Sequence, residues 1–582
     1  MSDLTRAAAR WGVEPGYHDV SGRWHDASPL ALRALTAALS AGRAAPAVSP
    51  PARDVVAWQC GERRMWGLAA QLYALRSARN WGHGDFGDLA ALIETVAPLG
   101  CSAIGLNPLH ALFPDRAEDA SPYSPSSRQF LNPLYIDLNA VGEFPGLAAL
   151  GLEAQVSALR AADMVQYAGV ARAKIAALRA CHARLRDASD ARRRDFEDFQ
   201  DEQGEDLVRF AAFEVLRQRF GGTAWWDWPE GWQRPGKAQI AQLCAEQADE
   251  IGFHMYVQWL AEEQLRGCQQ LARRRGMPVG LYIDLAVGVD PAGADAWTGQ
   301  GEMLSGVSVG APPDAYNPAG QNWGLTAFNP HALSASDFAP IRRLLRAAMR
   351  HAGAIRIDHV LGLMRLFLIP RGAAAADGAY VRYPFDGLLA AVADESAKAR
   401  CIVVGEDLGT VPAGFRDTVA RYGLWTYLVM LFEREHGGAF RAPERYPAGA
   451  LATFNTHDLP TFSGWMSGQD LVLKRSIGVD PGESDEDRER SRGELRAALS
   501  DRALGEDFAA IAGYLARTPS RLVMVALEDI LGVDEQINIP GTVAQHPNWR
   551  RRIPLPLEQL KVNDNLYRIA EVFSRAGRAS ST

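Results

Sequence analysis

The chain has 582 residues, 47% of them hydrophobic and 22% charged, room for roughly two to four ordinary domains. A net charge of −8 excludes a nucleic-acid or anionic-lipid binder as the main role. No stretch approaches the roughly 18 apolar residues of a membrane span, and the first residues lack a signal-peptide core. The expected compartment is therefore the cytoplasm. The six cysteines are far apart and none forms a CxxC pair, so reduced thiols are expected rather than a zinc or redox motif.

In chain order, residues 1–60 read as a small N-terminal domain. Helical patterns cover Leu4 to Trp11 and Pro29 to Ala41, the second with a Ser cap and a closing Gly. A Pro/Ala-rich linker, Ala44 to Arg53, marks the boundary. Residues 61–582 then alternate helical stretches with short apolar runs: Leu68–Leu75, Ala103–Leu109, Val279–Val287, Ala354–Leu361, Cys401–Leu408, Ala450–Asn455 and Leu522–Leu527. Strands alternating with helices over this length predict an α/β fold, a closed (β/α)8 TIM barrel. The competing open doubly wound sheet usually carries a GxGxxG phosphate turn, and LRSARNWGHGDFGDL has none. Residues 147–270 are strongly helical and read as an insertion subdomain. They include the charge-dense run Asp190–Asp206, expected as a solvated helix face, and the cluster Trp225, Trp226 and Trp228. A closing helix is expected near Leu557–Ala576.

Barrel enzymes carry their reactive groups where strands end at the C-terminal mouth. Four runs deliver acids there: Asp284, Asp358, Glu406 with Asp407, and Asp458 after His457. The last three are spaced by 48 and 52 residues, as strand-plus-helix units would be. Convergent acids suit two chemistries, a divalent-metal site or glycoside transfer between two carboxyls. Arg356 lies two residues before Asp358, so both share one strand face. That cation keeps Asp358 ionised, which suits a nucleophile and is wasteful beside a metal. His457 supplies a donor for a sugar hydroxyl.

Several segments are specific. IRIDHVLGLMRLFLIP, VVGEDLGTVP and FNTHDLPT resemble the catalytic segments of the 4-α-glucanotransferases, also called amylomaltases or disproportionating enzymes, glycoside hydrolase family 77. SPYSPSSRQFLNPLYIDL, GLYIDLAVGVDPAGADAW, GAPPDAYNPAGQNWG and LEDILGVDEQINIPGT resemble further family segments in the same order, and the likeness extends to HPNWRRR at 546–552. The resemblance implies a retaining double displacement that moves α-1,4-glucan segments to the 4-OH of an acceptor glucan or glucose. It makes Asp358 the nucleophile, Glu406 the general acid/base and Asp458 the third carboxylate. Tyr123, Asp284, Arg356 and His457 would line the subsite of the transferred glucose. Asp314, Gln321 and Trp323 would belong to a mobile loop, Gly310–Gly324, over the acceptor side.

The implied partners are maltooligosaccharides, amylose, glycogen and glucose, with no cofactor, metal, nucleic acid or membrane. An α-amylase-like hydrolase is the alternative, and the short stretch after Asp458 leaves no room for the C-terminal β-domain of many amylases. Glu406 is expected to be held protonated by the charges of Asp358 and Asp458. Ile283 and Phe454-Asn455 depart from the family pattern and are expected to alter subsite preference.

Overall fold

The computed structural model describes residues 2–19, 22–41, 54–313, 319–499 and 507–580. Eight parallel strands close a barrel: β1 (Met65–Ala70), β2 (Ala103–Leu106), β3 (Gly280–Leu285), β4 (Ala354–Ile357), β5 (Ile402–Gly405), β6 (Trp425–Val429), β7 (Ala450–Thr453) and β8 (Leu522–Ala526). Each pairs with its sequence neighbour, and β8 pairs with β1. Met65, Ala103, Val279, Tyr282, Ala354, Ile402, Val404, Trp425, Leu451, Leu522 and Met524 fill the interior, so the barrel is a packed core rather than a pore.

Six of the seven apolar runs contain a barrel strand, Leu68–Leu75 overlaps only the second half of Met65–Ala70, and β6 is the strand they miss. Its sequence, WTYLV, mixes Thr426 and Tyr427 into a short strand. Those polar residues have partners only in the folded barrel, where Thr426 donates to Asp407 at 2.9 Å and Tyr427 lies beneath a guanidinium. The 52 residues between Glu406 and Asp458 hold β6 as well, so Asp458 leaves β7 and not the strand next to Glu406.

Helices from Leu147 to Arg274 are inserted between β2 and β3. The last of them, Ala248–Arg274, runs past residue 270 and serves the barrel directly. Its Cys268 donates to the Phe86 carbonyl, and its Gln269 bonds the backbone of Val279 and Leu281. The charge run lies on helix Asp190–Arg219, which breaks at Gly204 with φ of 55°. It is more than a solvated face, because Arg192 reaches Glu143 and Glu263.

Over the mouth lies an antiparallel sheet of four strands, Ala379–Arg382, Arg365–Pro370, Val307–Ala311 and Gln321–Leu325. Helices Asp3–Arg10 and Pro29–Ser40, with the hairpin Gly16–His18 and Trp24–Asp26, rest on this sheet. Tyr17 packs edge-on to Phe367 and Tyr380, and the Glu14 amide donates to the Tyr380 carbonyl at 2.8 Å. The Ala44–Arg53 linker lies outside the described residues. Beyond β8 the described chain holds helices Leu527–Ile530, Leu557–Leu560 and Asp564–Arg575 and no further strand. All six cysteines are free thiols.

Candidate active site

Register sets the first contact of the mouth. Arg356 on β4 lies opposite Asp284 on β3, so both side chains enter from one level of the barrel. Arg356 Nη1 donates to both Asp284 oxygens at 2.8 and 2.7 Å. Its Nη2 lies 2.9 Å from Asp358 Oδ1 and 3.8 Å from Glu406 Oε2. One buried guanidinium thus ties acids from three successive strands. Burial works against its charge, but Asp284 and Asp358 outweigh that and raise its pKa.

Asp358 follows β4, and His359 after it turns into the left-handed region with φ of 49°, a conformation a non-glycine residue holds only when its surroundings fix it. The turn aims the His359 amide at Glu406 Oε2, 2.9 Å away, while the Leu408 amide donates to Oε1 at 2.6 Å. Burial raises the pKa of Glu406, Arg356 and these two amides oppose it, and Asp407 adds to it. The main cause is therefore desolvation, not the charges of Asp358 and Asp458 expected from sequence. Burial likewise pushes Asp358 up to about 6 against the pull of Arg356. Arg356 limits that rise without returning the group to the ordinary carboxylate range, so Asp358 is largely, not fully, ionised at neutral pH.

Asp458 sits across the mouth. Asn538 Nδ2 donates to its Oδ1 at 2.6 Å, Gln536 Nε2 to its carbonyl at 2.8 Å, and His457 Nε2 is 3.4 Å from Oδ2. Burial alone would raise the Asp458 pKa, but His457 and Asn538 more than offset it and the pKa is lowered. The same pairing raises His457 despite its burial. Tyr123 joins both sides. Its hydroxyl donates to Asp284 Oδ2 at 2.5 Å and its ring stacks on His457 at 5.0 Å, with Trp549 packed against both rings.

Tyr123, Asp284, Arg356 and His457 therefore gather with the three acids. Gln321 and Trp323 stand apart from that cluster. They lie on the strand Gln321–Leu325 rather than in a loop, and Trp323 reaches the site through His359, ring edge against ring at 5.3 Å. Gln321 accepts from the Trp323 indole at 3.1 Å. Asp314 lies outside the described residues. Of the tandem acids after β5, only Glu406 enters the mouth, since Asp407 is held by Thr426 and Arg416. The two departures also divide. Ile283 is buried in the main hydrophobic core outside the barrel interior, whereas Asn455 lines the mouth's inner chamber and donates to the Pro460 carbonyl at 2.9 Å.

Sequence reasoning missed Asn538, Trp549, Tyr427 and the amides of His359 and Leu408. Asn538 and Trp549 fall inside segments already marked by resemblance, but the reach of a loop side chain leaves no periodic trace.

Comparison with known proteins agrees with this geometry. The family profile described as 4-alpha-glucanotransferase matches residues 70–558. The chain belongs to the 4-alpha-glucanotransferase family. The 4-alpha-glucanotransferase of Haemophilus influenzae is 36% identical over 542 residues, covering 87% of this chain and 77% of that one. The amylomaltase of Corynebacterium glutamicum superposes with a TM-score of 0.85 at 27% identity, over 98% of this chain and 99% of that one. The Streptococcus agalactiae amylomaltase, solved with acarbose, shares the fold with a TM-score of 0.70 at 20% identity, over 89% and 100% of the two chains. As a 4-alpha-glucanotransferase, the chain is an enzyme of glucan transglycosylation, a glycosyltransferase acting on α-1,4-glucans. Among the described residues no helix is long and apolar enough to cross a membrane.

Proposed function

We propose that this mouth transfers α-1,4-glucan segments by a retaining double displacement in which Asp358 attacks and Glu406 moves the proton. The observation that carries the reading is the asymmetry of Arg356, whose Nη2 is 2.9 Å from Asp358 but 3.8 Å from Glu406. Where two buried carboxyls share one site, only one is readily ionised, and the guanidinium favours charge on the nearer. The proton is then left on Glu406, as an acid catalyst requires. A guanidinium at the centre of the acids also fills the place that a divalent cation would take in the competing metal chemistry.

The steps follow from these roles. Asp358 forms a bond to the anomeric carbon as the glycosidic C–O bond breaks, and the Glu406 proton goes to the leaving oxygen. The leaving segment departs, and Glu406, now a base, takes the proton of an acceptor 4-OH. That oxygen attacks the anomeric carbon and Asp358 leaves. Asp458, ionised and braced by Asn538, accepts hydrogen bonds from ring hydroxyls as positive charge develops. His457 and Tyr123 complete the wall for the transferred glucose. The acarbose bound to the S. agalactiae relative supports α-glucan oligosaccharides as ligands. The substrates assigned are maltooligosaccharides, amylose and glycogen, with glucose as the smallest acceptor. Maltotriose tests the reading, because transfer yields glucose plus a ladder of longer oligomers. Net accumulation of reducing ends would instead show hydrolysis.

Two outcomes follow. Because Asp358 must be ionised and Glu406 protonated, kcat/KM falls as pH drops through about 6, where Asp358 takes up its proton, and falls again when Glu406 loses its own. A pH series of initial rates checks this, and a flat profile from about pH 4 to 8 contradicts it. Trp323, against His359 beside the nucleophile, helps keep water from the intermediate. In Trp323→Ala the ratio of hydrolysis to transfer on amylose rises by about tenfold, a 1.4 kcal/mol change. An unchanged ratio of new reducing ends to transferred glucose would remove Trp323 from that role.

A further inference from the structure

Beside Asp284, Arg356 and His457 the mouth continues into a chamber of about 80 Å³, room for ordered water. Gly105 on β2 keeps it open, since a Cβ there would come within 3.0 Å of Met524 and 3.1 Å of Tyr282. Ala526 of β8 pairs with Ala69 of β1, so Glu528 and Gln71, each two residues on, emerge from adjacent strand ends. Both are at least nine-tenths buried. Among the described residues Gln71 Oε1 and the Tyr282 hydroxyl meet no hydrogen-bond partner, and the buried Glu528 carboxyl interacts with its own backbone amide and with His457. Buried polar groups in native proteins are nearly always satisfied. Here two unsatisfied ones, Gln71 just past β1 and Tyr282 within β3, line with Glu528 one small cavity that opens beside the residues assigned to hold the transferred glucose. A family of hydroxyls is the ligand that satisfies both an amide and a carboxyl at once.

We propose that Gln71 and Glu528 form a hydroxyl-binding floor for the donor-side glucose, bonding its hydroxyls directly or through one ordered water and so setting how tightly its ring is held. This rests on the assignment of the mouth as the glucan-transfer site. Neither side chain exchanges a proton with the reacting bond; their part is to position the sugar.

The test is maltotriose binding by titration calorimetry in an Asp358→Asn background, where turnover does not obscure affinity. Adding Glu528→Leu or Gln71→Leu weakens binding by about 10- to 100-fold. Glu528→Gln, which keeps a donor and an acceptor, loses about tenfold less than Glu528→Leu. In the otherwise native enzyme, Glu528→Leu raises KM for maltotriose more than it lowers kcat. Equal binding in the Leu and native-floor proteins, each with a cooperative thermal transition, overturns the floor. So does a Glu528→Gln loss as large as that of Glu528→Leu, which marks a packing role. The assignment of the mouth fails separately, if Asp358→Asn retains transfer.

Discussion

Glu406→Gln loses about 10²- to 10⁴-fold in kcat on maltotriose, the usual share of a general acid, yet still cleaves maltotriosyl fluoride rapidly in its first turnover. Fluoride leaves without a proton, so the first displacement no longer needs Glu406. The second does, because an acceptor hydroxyl must be deprotonated, and the variant stalls after one burst. Asp358→Asn behaves differently. It lacks the attacking oxygen and is depressed by about 10⁴-fold or more on both donors, as expected for a nucleophile acting with its partner as a unit. Rapid-quench measurement of fluoride release separates them: a burst for Glu406→Gln, none for Asp358→Asn. A burst in both variants, or in neither, contradicts the roles drawn from the Arg356 distances.

Arg356→Met destabilises the fold by about 3–5 kcal/mol, the cost of leaving buried charge without its partner. The guanidinium that meets Asp284, Asp358 and Glu406 is buried, so solvent offers little compensation. The pH dependence gives a sharper signature. Arg356 lowers the pKa of both Asp358 and Glu406, and its removal lets burial raise them further above their unfolded values. A carboxyl whose folded pKa is raised binds more protons folded than unfolded, so its destabilisation grows as pH rises. Denaturant melts of the variant therefore show a larger deficit at about pH 8 than at about pH 5. A deficit independent of pH would indicate lost packing rather than lost charge balance.

Much of this was legible in the sequence because barrels advertise themselves locally. An apolar run ending in a polar residue is a strand reaching the mouth, and Asp284, Asp358 and Glu406 all stand at such points. The paired placement of Arg356 and Asp358 follows from the two-residue strand period and appears in the structure as a 2.9 Å contact. What stayed hidden depended on contacts between distant segments. β6 carries Thr426 and Tyr427, whose partners are Asp407 and Arg356, and no local pattern reveals them. The origin of the Glu406 shift was misjudged for the same reason: proximity of acids can be read from motifs, whereas burial is a property of the closed barrel. Asn538 reaches Asp458 across 80 residues of chain.

The double-displacement account meets its most direct test in the covalent intermediate. Glu406→Gln incubated with maltotriosyl fluoride and digested for peptide mass mapping should carry a maltotriosyl group on the peptide containing Asp358, and that group should be lost as maltotriosyl azide when azide, a nucleophile that needs no base, is supplied. Absence of any adduct after the fluoride burst, or its location on Asp458 or another residue, would contradict the assignment of Asp358 as the attacking carboxylate.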